Sequence, residues 1–129
     1  MRDIRFRAWN KTLNKFVCWY QQGLSMVGDT GELYLSGSMN VTDKFVLQQF
    51  TGLQDKNGVD IYEGDCLLIK ECRIAEVIFH NEAGCWDLTL RNILSSLPIG
   101  AISPSSWKFH TEVIGNIYEN PELLEQEQC

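Results

Sequence analysis

The stretch FTGLQDKNGVDIYEGDCLLI, residues 50–69, contains the densest succession of strand and turn signals in the chain. Asn57-Gly58 tolerates the positive φ angles of a two-residue type I′ turn, and it stands between segments 50–54 and 59–62. Glu63-Gly64-Asp65 supplies a second reversal before a short apolar run. The stretch therefore predicts a tight hairpin followed by a further strand. The predicted structural turn residues are Asn57, Gly58, Gly64 and Asp65.

Further short strands follow this stretch at intervals typical of a small barrel or sandwich. Apolar runs separated by turns predict strands at residues 66–69, 74–80, 85–90 and 112–118. Closure of such strands hides the edges that would otherwise pair with other chains. Alternation selects a set of candidates for the barrel interior: Tyr62, Leu67, Ile69, Val77, Phe79, Trp86 and Leu88. Cys66 and Cys85 are expected to be small core residues.

The N-terminal part predicts a second β region. Residues 4–8 alternate apolar and basic side chains, and residues 16–20 are rich in β-formers, so the two segments predict a hairpin. Residues 21–40 fit either a β-ribbon or a mobile loop. The segment after Thr42 fits a short helical turn or a strand, and residues 91–108 fit a long ordered loop.

These patterns predict three parts of the chain. Residues 1–49 form an N-terminal β region with a Gly/Ser-rich excursion, residues 50–118 form the barrel, and residues 119–129 form a short terminal helix or tail. The helix is predicted to begin at Pro121 with Asn120 as its N-cap, because asparagine caps helices and proline suits the first helical position.

Composition and charge narrow the classes of function. The 129 residues include 17 acidic and 11 basic side chains, for a formal net charge of −6, which disfavours non-specific binding to nucleic acid. Neither a signal peptide nor a long apolar span is evident, so a cytoplasmic protein without membrane contact is expected. Five cysteines without close pairing fit reduced thiols.

Three segments together resemble the YopX-like family of phage and prophage proteins: IRFRAWNKTLNKFVCW at residues 4–19, FTGLQDKNGVDIYEGDCLLI at residues 50–69, and EVIGNIYENPELL at residues 112–124. The resemblance implies a mainly β fold whose part from residue 50 to residue 118 is similar to an SH3-type barrel. It also implies an origin in a mobile element. It supplies no catalytic residues, since the family's biochemical role is not established.

No combination of residues predicts a catalytic, metal or cofactor site. Glu63 and Asp65 could hold a cation, but a tight turn predicts solvated side chains that satisfy turn amides. His80, Cys72 and Cys85 lack the close pairing of structural zinc ligands. A nucleophilic pair of Cys85 with His110 has no supporting motif around it.

The basic residues near the N-terminus predict the one candidate binding patch. Arg5, Arg7, Trp9 and Lys11 could contact single-stranded nucleic acid, because aromatic rings beside cations can stack on bases. Tryptophans in a small β protein are more commonly core or interface residues. The acidic net charge also weighs against this patch.

The sequence therefore favours a phage-derived, non-enzymatic binding or interaction module that self-associates through its N-terminal β region. Its expected partners are a second copy of the chain and a phage or host protein. The alternatives are a nucleic-acid-associated accessory protein that uses the Arg/Trp patch and a small hydrolase.

Overall fold

The computed structural model describes residues 5–17, 24–26, 32–35, 39–69, 73–82, 84–89 and 104–125. Over these residues the chain is mainly β, with two short helices. The fold divides into two compact units, one formed by Ile4–Gln49 and the other containing Phe50–Cys129.

The N-terminal unit contains a hairpin sheet and a small three-stranded sheet. In the first sheet the opening strand pairs antiparallel with the second strand on one side and with Phe45–Gln49 on the other. In the second sheet three short strands pair in sequence order. The strands are β1 (Phe6–Asn10), β2 (Lys15–Val17), β3 (Leu24–Met26), β4 (Leu33–Leu35), β5 (Met39–Asn40) and the first half of β6 (Phe45–Gln54).

The predicted N-terminal hairpin is confirmed, with β1 beginning at Phe6 rather than Ile4. Ala8 pairs with Val17 in register, so both side chains share a face of the sheet. That face packs with residues of the second sheet around buried Leu33 and Val41. The β-ribbon alternative for residues 21–40 is confirmed for the described part of that segment.

After Val41 the strand alternative is confirmed, and the alternative of a helical turn ending near Gln49 is wrong, because the helical conformation ends at Lys44. Thr42–Lys44 forms a single 3-10 turn, and β6 begins at the next residue. The turn connects to the second sheet, because Leu33 N donates to Thr42 Oγ1 at 2.9 Å.

The C-terminal unit is built around a four-stranded antiparallel sheet of order β10-β9-β8-β11. The second half of β6 pairs with β7 before the chain enters this sheet. The strands are β7 (Asp60–Tyr62), β8 (Asp65–Ile69), β9 (Arg73–His80), β10 (Cys85–Thr89) and β11 (Thr111–Asn116), and the helices are α1 (Trp107–His110), which follows a 3-10 turn at Pro104–Ser106, and α2 (Glu122–Glu125). The predicted strands and terminal helix are therefore confirmed, with shifted boundaries.

The main core of this unit lies on one face of the sheet, with alternate residues of β8 and β9 contributing to it. Trp107, the first residue of α1, is fully buried in this core. The buried members are Ile61, Leu67, Ile69, Ala75, Val77, Leu88 and Trp107.

Two interior predictions and one cysteine prediction are wrong. Phe79 is 42% exposed and Cys85 is exposed; both lie near the turn of the β9–β10 hairpin, and neither belongs to the core cluster. On β7 the fully buried residue is Ile61, whereas Tyr62 is half-buried and packs its ring against Phe50. Cys66 is buried as predicted.

The turn at Asn57-Gly58 differs from the predicted type I′ geometry. Gly58 has a φ of +78°, but Asn57 does not have positive φ. Gly58 N donates to Asp55 O at 3.0 Å, so the four-residue turn begins at Asp55. The loop between β6 and β7 is therefore longer than two residues, and the side chain of Asp55 shapes it.

Strand β11 forms bonds on both of its edges, so the sheet is partly curled. One edge pairs with β8, with a register shift between Val113 and Gly115. On the other edge Thr111 O accepts a hydrogen bond from Lys56 N at 3.0 Å. Among the described residues, no helix is long and apolar enough to cross a membrane.

Candidate functional site

Asp55 has a buried carboxylate, 3% exposed, that bonds three backbone N–H groups. Its Oδ1 accepts from Asn57 N at 2.8 Å and from Val59 N at 2.9 Å. Its Oδ2 accepts from Val113 N at 2.9 Å, on strand β11, 58 residues later in the chain. The carboxylate thus shapes its own turn and attaches that turn to the last strand.

Asp65 has a second buried carboxylate, 1% exposed, at the start of β8. Its Oδ2 accepts from Tyr62 N at 2.8 Å, as expected for a turn carboxylate. Its Oδ1 accepts from the Nδ2 of Asn116 at 3.1 Å. The prediction that this side chain is solvated is wrong, because Asn116 supplies a buried partner that local sequence does not reveal.

Asn116 and Gly64 extend this network through the backbone. Asn116 Oδ1 accepts from Tyr118 N at 2.9 Å. Gly64 N donates to Val77 O at 2.9 Å, and Gly64 O accepts from Ile117 N at 2.9 Å. Strand β9 and the end of β11 therefore both contact the Glu63–Asp65 turn. The polar groups of these three segments form hydrogen bonds with one another.

Glu63 and Asp65, the two carboxylates considered as a possible cation site, lie in different environments. Glu63 is half-buried, whereas Asp65 is enclosed and bonded to Asn116 and Tyr62. Across the described parts of the chain, no three His, Cys, Asp or Glu side chains come together in a way that could hold a metal ion.

Of the described histidine and cysteine candidates, Cys85 and His110 are exposed and His80 is half-buried. Cys85 is exposed and opposite His80 in the β9–β10 register. His110 is also exposed, and its ring lies 6.4 Å from that of Phe109. Cys72, which was considered with His80 and Cys85 as a possible zinc ligand, lies outside the described residues.

The predicted nucleic-acid patch combines buried or half-buried side chains with exposed ones. Arg7 Nε donates to Gln48 Oε1 at 3.0 Å, and its Cζ lies 4.3 Å from the ring centroid of Phe16. Trp9 packs edge-on against the same ring at 4.9 Å and is 5% exposed. The remaining members, Arg5 and Lys11, are exposed.

This arrangement leaves almost no face of Trp9 for a base to stack on. Stacking requires an open aromatic surface, and Phe16 and the sheet occupy that surface here. Whether Arg5, Arg7 and Lys11 contact nucleic acid stays a prediction. Lys15 and Lys44 are also exposed and lie outside the predicted patch, although the predicted hairpin could have indicated Lys15, which pairs with Asn10.

Sequence reasoning singled out Asp65 but missed Asp55 and Asn116. A signal for Asp55 is present, because an aspartate two residues before Asn-Gly favours a side-chain turn. Asn116 has no comparable local signal, since its partner Asp65 lies 51 residues away.

Comparison with known proteins gives one family and a solved structure. The family model described as YopX protein matches residues 5–125. The crystal structure of protein EF1440 from Enterococcus faecalis is similar, with a TM-score of 0.57 and 25% sequence identity over 96% of this chain and 99% of that chain. No curated protein matches the chain. Since the family match spans nearly the whole sequence, in agreement with the resemblance of its three motifs, this chain belongs to the YopX family.

Proposed function

We propose that this chain is a non-enzymatic, phage- or prophage-derived binding module that self-associates through its N-terminal β region. The observation that supports this most directly is Met39, which is 54% exposed on β5, the end strand of the three-stranded sheet. An end strand has backbone groups available for pairing with another chain. An exposed apolar side chain on such a strand adds a reason to associate.

The buried polar side chains of the C-terminal unit support a structural use of the central motif. Asp55, Asp65 and Asn116 bond backbone groups or one another, so their hydrogen-bonding capacity serves the turns. In this proposal the buried polar side chains of the C-terminal unit have a structural role, and binding is carried out by exposed residues.

The expected self-association is weak. Full burial of a methionine contributes about 1.5–3 kcal/mol, and Met39 is already partly covered, so each copy gains about 1 kcal/mol. Association costs at least about 4 kcal/mol in lost freedom, so backbone pairing along β5 must contribute too. We therefore expect a dimer that dissociates in the micromolar range or above.

Light scattering over a series of concentrations tests this proposal. The wild-type chain should show a mass that rises above 14.8 kDa with concentration. Met39→Lys places a charge on the end strand and should shift the transition to higher concentration. Val59→Lys is the matched control, because Val59 is exposed to a similar degree in the other unit. A monomer at all concentrations would exclude the proposal.

We further propose that the C-terminal unit is an SH3-like barrel in a cytoplasmic protein. The bond from Lys56 N to Thr111 O supports closure, because it connects the turn after β6 to the last strand. The sheet order β10-β9-β8-β11 is compatible with this topology. An experimental structure in which the β6–β7 hairpin lies away from β11 would contradict the barrel.

A further inference from the structure

We propose that the N-terminal unit binds the phosphate backbone of single-stranded nucleic acid through three lysines at the turn end of the β1–β2 hairpin. Lys11, Lys15 and Lys44 form this lysine row. The proposal goes beyond self-association, which is assigned to β5. It also differs from the Arg/Trp patch of the sequence prediction, since the two sets share Lys11 alone.

The strand pairing brings the three lysines to the same end of the sheet, on neighbouring segments of the chain. Asn10, the last residue of β1, pairs with Lys15 on β2 and with Phe45 on β6. Lys11 follows Asn10, and its backbone N donates to Lys44 O at 3.1 Å. Since neighbouring strands lie about 4.8 Å apart, the row spans about 10 Å. With one cation for each phosphate, the row can neutralise up to three phosphates.

The charge of the chain is unevenly distributed, and it favours binding of a polyanion to the N-terminal unit. Residues 4–49 carry five basic and three acidic side chains, a net charge of +2, whereas residues 50–129 carry five basic and thirteen acidic ones, a net charge of −8. A polyanion repelled by most of the chain is therefore attracted to the N-terminal unit. Salt screens both the repulsion and the attraction beyond about 8 Å at physiological ionic strength. The charges close to the bound polyanion therefore determine its affinity.

The lysine side chains are available for phosphates. All three are exposed, and no carboxylate among the described residues forms an ion pair with them. The neighbouring acid in the sequence is Asp43, which is exposed beside Lys44 and reduces the local charge to +2. Release of counterions from neutralised phosphates then favours binding at low salt.

The shape of this end favours a single strand over a membrane. Leu13 lies between Lys11 and Lys15 at the hairpin turn and is 58% exposed, so it can contact a base or a sugar. A single leucine is too little apolar surface to anchor a chain in lipid. A row of cations fits a line of phosphates better than a plane of headgroups.

Fluorescence anisotropy with a labelled oligothymidylate tests the proposal on the full chain. At about 0.7 per neutralised phosphate, three contacts give a slope near −2 for log K against log salt. Affinity should then fall about 20-fold between about 50 and 200 mM salt. The triple variant Lys11→Gln, Lys15→Gln, Lys44→Gln should bind at least about 10-fold more weakly at low salt and lose most of this slope.

Two further variants make the result specific. The double variant Lys56→Gln, Lys108→Gln removes exposed lysines from the other unit and should bind like wild type. Replacing the lysine row by arginines keeps the charge and should retain binding, which separates lost charge from lost folding. Equal binding by wild type and the glutamine triple variant, or no binding by wild type, would overturn the proposal. Binding to phosphatidylserine vesicles but not to the oligonucleotide would also overturn it.

Discussion

Replacement of Asp55 by alanine should destabilise the C-terminal unit by about 2–3 kcal/mol. Hydrogen bonds to a charged group contribute about 1.5–3 kcal/mol each. Two of the three donors, Asn57 N and Val59 N, lie in an exposed turn and can bond to water in the variant. The main loss is therefore the partly buried Val113 N–H, which is left without its acceptor.

Asp55→Asn retains one acceptor oxygen but places an amide NH₂ near a backbone donor, so it should cost about 2 kcal/mol. Urea unfolding followed by tryptophan fluorescence measures both changes, since Trp107 is buried in the core of this unit. The matched control is Asp43→Ala, an exposed aspartate in the other unit, which should change stability by less than about 0.5 kcal/mol. If Asp55→Ala and Asp43→Ala unfold at the same urea concentration, the structural role assigned to Asp55 is wrong.

Three further predictions concern close packing and exposure. Gly115→Ala should destabilise the C-terminal turn by about 1–3 kcal/mol and speed its cleavage by protease, because the added Cβ would lie 2.5 Å from Asn120 Oδ1. Trp107→Phe should cost about 1 kcal/mol in urea unfolding, against about 3–5 kcal/mol for Trp107→Ala, because the buried Nε1 has no acceptor among the described residues. In native-state alkylation read by peptide mass spectrometry, Cys85 should react readily, whereas Cys66 should react only on unfolding.

The strands of this chain could be predicted from sequence because their signals are local. Alternation identified both β1 and the β9–β10 hairpin, and asparagine with proline identified the start of α2. Alternation failed at Phe79, since it states which face a side chain occupies and not whether the core extends that far along the strand.

The polar residues were harder to assign because their partners are distant in sequence. Asp65 has the expected local bond to Tyr62 N, but its burial depends on Asn116. The geometry of the Asn57-Gly58 turn depends on Asp55, whose other oxygen bonds Val113. Local sequence therefore predicts the position of the turn but not the distant hydrogen-bond partners that stabilise it.

Amide hydrogen exchange at Val113 tests the central claim most directly, namely that the polar residues of the 50–69 stretch serve the architecture. The N–H of Val113 bonds to the Asp55 carboxylate, so it is protected only while the turn is attached to β11. The structure predicts protection close to that of global unfolding, with a large loss in Asp55→Asn. Exchange of this amide at the rate of an open loop, unchanged by Asp55→Asn, would contradict the claim.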